Sequence, residues 1–476
     1  MNESPPLKRG DEVELEITGS AFEGKSIARY QGLVVFVEGG VPGDLVTAQI
    51  LKTKKKLVEA KILHVLRPSS LRTKPRCVHF GTCGGCKWQH VDYQGQLQFK
   101  QQHVIDSFER IGGFSDLPIQ PILAADEIFY YRNKMEFSFS NQEWQEVPPT
   151  GERDPAVLNS EIYLGLHVPQ RYDKILDLKE CHLQSELSNE ILAFTRTFAR
   201  EMKVPVYSTE TDSGYLRFLV IRQSSRTREI MVNLVTRTDD SSFMNSFAEN
   251  LKSSVPQVTT IVNTINGKRA QIAYGDQERT YAGEGVIRER LGINTFIISA
   301  GSFFQTNTAQ AEKLYETAKN FGELKPSDVV FDLYSGTGSI ALFISGDVKQ
   351  VVGVESVESA LRDAARNVAA NNVTNCEFIL GDLKDRLTKE SDWMKQYPKP
   401  DVVILDPPRS GIHPKVIERI VEIAPPRIVY VSCNPATQAR DAKLFCADKY
   451  RLAKLQPVDM FPHTYHIENV ALFLPK

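Results

Sequence analysis

The chain has 476 residues, 41% hydrophobic and 24% charged, with a formal net charge of -2. That is an ordinary globular balance, and the length anticipates about three domains. No apolar run approaches the roughly 20 residues of a membrane-crossing helix, and the first ten residues hold neither an apolar signal core nor an Arg/Ser-rich transit sequence, so a cytoplasmic protein is expected.

Residues 7 to 66 read as a small all-β unit. Glu12-Val13-Glu14-Leu15-Glu16-Ile17 alternates as a half-buried strand does, Leu33 to Val37 is a second strand, and Gly39 to Asp44 is turn chemistry. Leu45 to Lys52 and Val58 to Leu66 complete a pattern that fits a small OB-like barrel, a fold that often binds oligonucleotides. Residues 51 to 76 carry nine Lys/Arg against one acid, Glu59. Such a run is either a solvated face or a contact for several phosphates.

Cys77, Cys83 and Cys86 follow, in a ten-residue loop with Gly81, Gly84 and Gly85. The odd total of seven cysteines argues against a disulfide framework. Three clustered thiols point to a metal site, with Cys181 as the most plausible fourth ligand; spacing leaves zinc and an iron–sulfur cluster both open. Tyr93 to Ile111 reads as a helix stopped by Gly112-Gly113. Residues 129 to 300 read as an antiparallel α+β region, with a hairpin turning at Ser224-Ser225-Arg226-Thr227 and a loop over Trp144 to Pro155.

From about residue 301 strands and helices alternate: the buried runs start at Val329, Val351, Val402 and Ile428. That alternation predicts a parallel, doubly wound sheet with its site at the carboxyl ends of the strands. The loop after the first strand is Tyr334-Ser335-Gly336-Thr337-Gly338-Ser339, and Glu355 ends the next strand. The Gly336 to Glu355 offset matches an acid that holds ribose hydroxyls. The loop lacks the Lys-Ser/Thr of a phosphate-binding loop and the third glycine of a dinucleotide fingerprint, so an adenosine-type ligand without a pyrophosphate is expected, with S-adenosylmethionine the natural candidate.

Two further strands end in chemistry. Asp406-Pro407-Pro408-Arg409 leaves one, and Ser432-Cys433-Asn434-Pro435 leaves the next. A free cysteine is most often a small buried hydrophobe. Cys433 lies instead on a loop between Ser and Asn-Pro, whereas Cys376 and Cys446 sit in ordinary elements. A thiol, an acid and, further on, Glu468 point to covalent chemistry on a bound ring.

These motifs together resemble the RNA 5-methyluridine (uracil-C5) methyltransferases that carry an N-terminal TRAM domain, through nearly the whole chain. The resemblance rests on Lys25 to Arg29 with Pro42-Gly43-Asp44, Cys77/Cys83/Cys86/Cys181, Tyr131-Arg132-Asn133-Lys134, Phe303 to Asn307, the glycine loop, Asp406 to Arg409, Ser432 to Pro435 and Phe461-Pro462-His463-Thr464. It implies an OB-like TRAM domain over 1–68, a central α+β domain over 69–300 and a Rossmann-like methyltransferase domain over 301–476. It makes the four cysteines ligands of a [4Fe-4S] cluster. Gln305, Tyr334, Glu355 and Asp382 would contact S-adenosylmethionine, and Asp406 would lie between cofactor and uracil. Ser339 stands at a cofactor contact where relatives often carry asparagine. Phe303 would line the uracil pocket, Cys433 would attack C6, and Glu468 would take the C5 proton. The branch it resembles most acts on 23S ribosomal RNA, with transfer RNA the runner-up, and a monomer is expected. Two other readings fit less well. A non-catalytic RNA-binding protein would have no use for intact Cys433, Asp406 and Glu468. An exocyclic-amine methyltransferase needs an aromatic residue where Arg409 stands.

Overall fold

The computed structural model describes residues 7–54, 57–144, 161–169, 171–388 and 392–476. The loop expected over Trp144 to Pro155 lies, beyond Trp144, outside them. Five strands close the N-terminal barrel in the order β1-β2-β3-β5-β4: β1 (Glu12–Ser20), β2 (Ser26–Tyr30), β3 (Leu33–Glu38), β4 (Leu45–Lys54) and β5 (Leu57–Arg67). Alternation fills its interior: Leu15, Ile17, Ala28, Val35, Val37, Val46, Ala48 and Ile50 point in, while Glu12, Glu14 and Glu16 stay exposed. The basic run divides. Lys52, Lys54, Lys61 and Arg67 stand exposed on β4 and β5. Arg72 is drawn onto the buried Asp44 carboxylate, and Arg76 donates to the Tyr130 hydroxyl at 2.6 Å.

The central sheet runs β12-β11-β10-β9-β6-β7-β8, from β6 (Lys134–Ser140), β7 (Tyr163–Val168), β8 (Arg171–Asp177), β9 (Leu216–Gln223), β10 (Ile230–Thr236), β11 (Thr260–Ile265) and β12 (Gln277–Ala282). It is not wholly antiparallel as expected. The helix Ser241–Ser254 crosses over between β10 and β11, so those two pair in parallel. That helix and Glu186–Glu201 share one apolar core with the sheet. A hairpin, β13 (Val286–Leu291) and β14 (Asn294–Ser299), leads into the last unit.

There β15 (Val329–Leu333), β16 (Gln350–Glu355), β17 (Cys376–Leu380), β18 (Val402–Leu405), β19 (Arg427–Ser432), β20 (Tyr450–Val458) and β21 (Glu468–Pro475) form a sheet ordered β17-β16-β15-β18-β19-β21-β20. The first five are parallel, as the βα alternation predicts. β21 departs from it, running antiparallel to both β19 and β20, and is inserted between them. The reason is connection length. The loop from β20 to β21 is too short to hold a crossover helix, so the chain turns back as a hairpin. The consequence is spatial: the start of β21 lies at the same end of the sheet as the ends of β15, β16, β18 and β19.

The helix Tyr93–Ser107 belongs to this unit by contact. Asp92 caps it, accepting from Gly95 N–H at 2.6 Å, and its Val104, with Phe108 just after, enters the core shared with the helices Pro414–Ile423 and Pro435–Phe445.

Candidate active site

A cavity of about 790 Å³ opens at that end of the sheet. Its wall includes Phe303, Gln305, Tyr334, Ser339, Glu355, Asp382, Asp406, Cys433 and Glu468. The structure therefore gathers all nine of the cofactor, base and catalytic candidates read from sequence.

The glycine loop explains itself locally. Tyr334, Gly336 and Gly338 all have positive φ (69°, 56° and 73°), an uncommon conformation for tyrosine and one stored at a ligand loop. Tyr334 and Ser335 N–H both donate to Val354 O at 3.1 Å, pinning the loop to β16. A Cβ on Gly338 would meet the Phe378 ring at 2.7 Å, whereas one on Gly336 would meet nothing and would occupy open space. Glu355 accepts from Gly336 N–H at 3.0 Å, and from Ser356 and Val357 N–H at 2.7 and 2.8 Å. Asp382 accepts from Lys384 N–H at 2.9 Å, which with the Lys384 ammonium holds its carboxyl below the ordinary range. Ser339 shares a 2.8 Å hydrogen bond with the Tyr315 hydroxyl.

Cys433 precedes the helix Pro435–Phe445. Asn434 caps that helix through Ala436 N–H at 3.1 Å, and Pro435 supplies the pre-set φ of a first turn. Cys433 thus stands beside the N-terminal, positive end of a helix, a position that favours thiolate. Register adds the carboxylate. Ser432 pairs with Asn469 as the last rung between β19 and β21, and just past it Cys433 and Glu468 line the same cavity, the Glu468 charge acting on the thiol. Burial, and then the charge of Glu468, push the Cys433 thiol up to about 11, against the pull of the Arg409 guanidinium that hydrogen-bonds it. Burial pushes Asp406 up to about 7 and raises Glu468 well above the carboxylate range, Asp406 adding to the latter. Asp406 is in part accessible and lines the cavity. Phe303 is 62% exposed at the rim, an aromatic face open to a stacking partner.

Sequence reading assigned no role to several residues that belong here. Arg409 is the cation at the thiol. Its own carbonyl is gripped by Asn434 Nδ2 and Thr437 Oγ1 at 3.1 and 3.2 Å. His466 lies 3.4 Å from the Arg409 guanidinium, and Phe461 packs edge-on against His466. The segment that carries them is anchored far upstream. Lys100 and Asp459 form an ion pair with neither side chain exposed, Tyr93 Oη donates to Asp459 at 2.8 Å, and Tyr131 Oη donates to Pro462 O at 3.0 Å. His463 O accepts from Lys87 and Trp88 N–H at 2.8 and 3.0 Å.

A second cavity, of about 390 Å³, is lined by Cys77, Cys83, Cys86 and Cys181, with Thr306 contributing to both cavities. Burial raises all four thiols. Gln89 Nε2 donates to Cys86 Sγ at 3.2 Å and Gly85 N–H to Cys83 Sγ at 3.4 Å. Among the described residues no three Cys, His, Asp or Glu side chains converge tightly enough to hold a single metal ion. The expected metal-carrying domain is therefore present as a ring of cysteines and is not shown to carry metal.

The family model described as tRNA (Uracil-5-)-methyltransferase matches residues 223–476, and the TRAM domain model matches residues 6–63. An uncharacterized RNA methyltransferase of Chlorobaculum tepidum is 43% identical over 98% of this chain and 97% of its own length. One of Porphyromonas gingivalis is 43% identical over 97% of this chain and 99% of its own. Among solved structures, the Pyrococcus abyssi tRNA (uracil-54, C5)-methyltransferase in complex with S-adenosyl-L-homocysteine is similar with a TM-score of 0.72 and 29% identity, covering 97% of this chain and 99% of that one.

Proposed function

We propose the reaction of a chain that belongs to the tRNA (uracil-5-)-methyltransferase family and is an S-adenosylmethionine-dependent RNA methyltransferase: methylation of C5 of a uridine through a covalent Cys433 adduct. The observation that carries it is the meeting of Cys433, Arg409, Asp406 and Glu468 in the cavity built on the glycine loop. Uracil C5 is too weak a nucleophile to take a methyl group unaided. The Cys433 thiolate bonds to C6, and the electrons of the C5–C6 double bond move onto C5 and the C4 oxygen. C5 would then bond to the methyl carbon of the bound cofactor as the sulfur–methyl bond breaks, its electron pair staying on sulfur so that S-adenosylhomocysteine is the leaving group. Glu468 accepts the C5 proton, and the electrons of that C–H bond restore the double bond and expel the thiolate. Asp406 hydrogen-bonds the uracil edge, and Phe303 offers its ring to the base. A uridine within folded RNA must leave its stack to reach this site.

The cofactor supplies an electrophilic methyl on a positively charged sulfur, and the cavity suits a cation. Glu355, Asp382, Asp406 and Glu468 line it. Just behind its wall, Asp332 is fully buried, neither carboxylate oxygen has a hydrogen-bond partner in good geometry, and burial followed by the Asp406 charge holds its carboxyl near 7. These raised acids predict the sign of a linkage. A bound cation favours their ionised form, so binding near pH 7 releases protons and affinity rises as pH increases through about 7. Calorimetry of S-adenosylmethionine in buffers of differing ionisation heat should show net release, greater than for S-adenosylhomocysteine, which lacks the sulfonium charge. Proton uptake, or equal release by the two, would contradict this electrostatic account.

For the RNA class we take 23S ribosomal RNA as the reading, supported by the resemblance of the whole domain set to that branch. Transfer RNA is the second reading, favoured by the likeness to the Pyrococcus abyssi tRNA enzyme. Mapping 5-methyluridine in ribosomal and transfer RNA from cells with and without the gene decides between them. Loss of no 5-methyluridine in either would sink the reaction itself.

The cysteine ring supports an iron–sulfur cluster over zinc. Four thiols line one cavity, as the corners of a polynuclear cluster require, and N–H donors at Cys83 and Cys86 are of the kind that stabilise cluster thiolates. Protein prepared without oxygen should contain iron and acid-labile sulfide in equal amounts, and Cys181→Ser should lose both. Stoichiometric zinc in their place would overturn the assignment.

A further inference from the structure

The motif Tyr131-Arg132-Asn133-Lys134 was conspicuous in sequence, yet the reaction uses none of its side chains. Tyr131 reaches Pro462, and Arg132 borders the cysteine cavity. Asn133 does something different: it grips the strap that joins the central unit to the catalytic sheet. Its Nδ2 donates to Gln305 O at 2.8 Å and to Thr308 Oγ1 at 3.0 Å, and its backbone N–H donates to Thr306 O at 2.8 Å. Thr308 Oγ1 in turn donates to Glu289 Oε2 at 2.9 Å. Glu289 is 1% exposed and also accepts from Ser224 Oγ, Ser225 N–H and Arg226 N–H. The buried Arg222 holds the strap's upstream end by donating to Ala300 O and Ser302 O.

The strap carries Phe303, Gln305 and Thr306 into the active cavity. These residues lie in no strand, and the helix Thr308–Gly322 begins only after them. Backbone without a ladder of its own takes its conformation from the groups that hold its carbonyls. Phe303 O accepts from Thr337 Oγ1 of the glycine loop at 3.2 Å, whereas the carbonyls of Ala300, Ser302, Gln305 and Thr306 are held by Arg222 of β9 and by Asn133 on the approach to β6, outside the catalytic sheet.

We infer that Asn133 and Thr308, backed by Glu289, are positioning residues that set Gln305 for the cofactor, so that the central unit shapes the methyl-transfer geometry without touching either reactant. The inference rests on the function proposed above. Misplacing a contact by about an ångström costs on the order of 10²-fold in rate.

The test uses the full chain and separates positioning from stability. Asn133→Asp keeps the shape and loses the donor; Thr308→Val keeps the bulk and loses the hydroxyl; Thr308→Ser keeps the hydroxyl. Asn263→Asp is a matched control, because Asn263 Nδ2 likewise donates to a carbonyl (Leu234, 2.7 Å) and a threonine hydroxyl (Thr236, 3.0 Å) but touches no strap residue. Three quantities are measured: thermal stability, S-adenosylhomocysteine affinity by calorimetry, and single-turnover methyl transfer to RNA from cells lacking the gene. Asn133→Asp and Thr308→Val should lose about 10²-fold in transfer rate and about tenfold in S-adenosylhomocysteine affinity, with Thr308→Ser within about threefold of the parent. Asn263→Asp should destabilise comparably and keep its rate and affinity. Wild-type values in Asn133→Asp and Thr308→Val, or losses in Asn263→Asp equal to theirs at equal stability, overturn the inference. Should Asn133→Asp fail to fold, the Thr308→Val/Thr308→Ser pair decides. S-adenosylhomocysteine affinity needs no RNA, so a parent that binds it without methylating RNA refutes the proposed reaction while the affinity series still judges the strap.

Discussion

Cys433→Ala is expected to leave the fold and cofactor binding intact while lowering methyl transfer by at least about 10⁴-fold, with no covalent adduct on RNA containing 5-fluorouridine. The thiol has no packing role that alanine cannot fill: it stands at the cavity wall, just past the last residue of β19. At about 11 it is a thiol at neutral pH in the ligand-free site, so ionisation has to be drawn out by Arg409, the helix terminus and the arriving reactants. The rate should therefore rise with pH across the neutral range. Glu468→Gln gives the complementary result. With no base beside C5 the proton stays, the thiolate cannot leave, and ordinary uridine-containing RNA should accumulate as a protein adduct visible on a denaturing gel. Adducts formed by Cys433→Ala would refute the nucleophile, and wild-type turnover by Glu468→Gln would refute the base.

The second large effect is on stability. Lys100→Met should cost about 3–5 kcal/mol, because it strands the Asp459 carboxylate in a place where neither partner of the pair is exposed. Burial pushes the Lys100 ammonium below its ordinary range, against the attraction of Asp459, so the pair holds only while both members are present. Lys100→Met with Asp459→Leu should recover most of the loss, since an apolar pair of similar bulk leaves no buried charge. Denaturant titration followed by tryptophan fluorescence reads this directly, as Trp88 packs against Phe99 beside the anchored loop. A loss below about 1 kcal/mol in Lys100→Met would show the pair to be water-accessible in solution.

Much of the site could be read from sequence because strand order and strand ends are written in apolar runs. The runs at Val329, Val402 and Ile428 placed the glycine loop, Asp406 and Cys433 at one end of one sheet. The Gly336 to Glu355 spacing corresponds to a physical bond, the 3.0 Å hydrogen bond from Gly336 N–H to Glu355. Glu468 was different. Nothing local separates it from a surface acid, and only the family resemblance singled it out; its place beside Cys433 comes from the antiparallel return of β21, which the βα alternation did not foresee. Arg409 was visible as a motif residue, but its approach to the thiol is a contact between two loops that no periodicity encodes. Lys100 was beyond reach for the same reason: a lysine on an ordinary helix declares no partner 359 residues away. Asn133 was noticed and left without a role, because its targets are backbone carbonyls, which every sequence has.

The return of His463 O to Lys87 and Trp88 N–H bears on how this enzyme can be taken apart. The α/β half looks like a portable cassette, complete in nucleophile, glycine loop and acid. Excised, it would keep the sheet and lose the clasps on the stretch that delivers Phe461, His466 and Glu468. Shuffling that half onto a foreign RNA-binding module would transplant a binding fold without its turnover. The cysteine-bearing segment and the reactive half are one heritable unit.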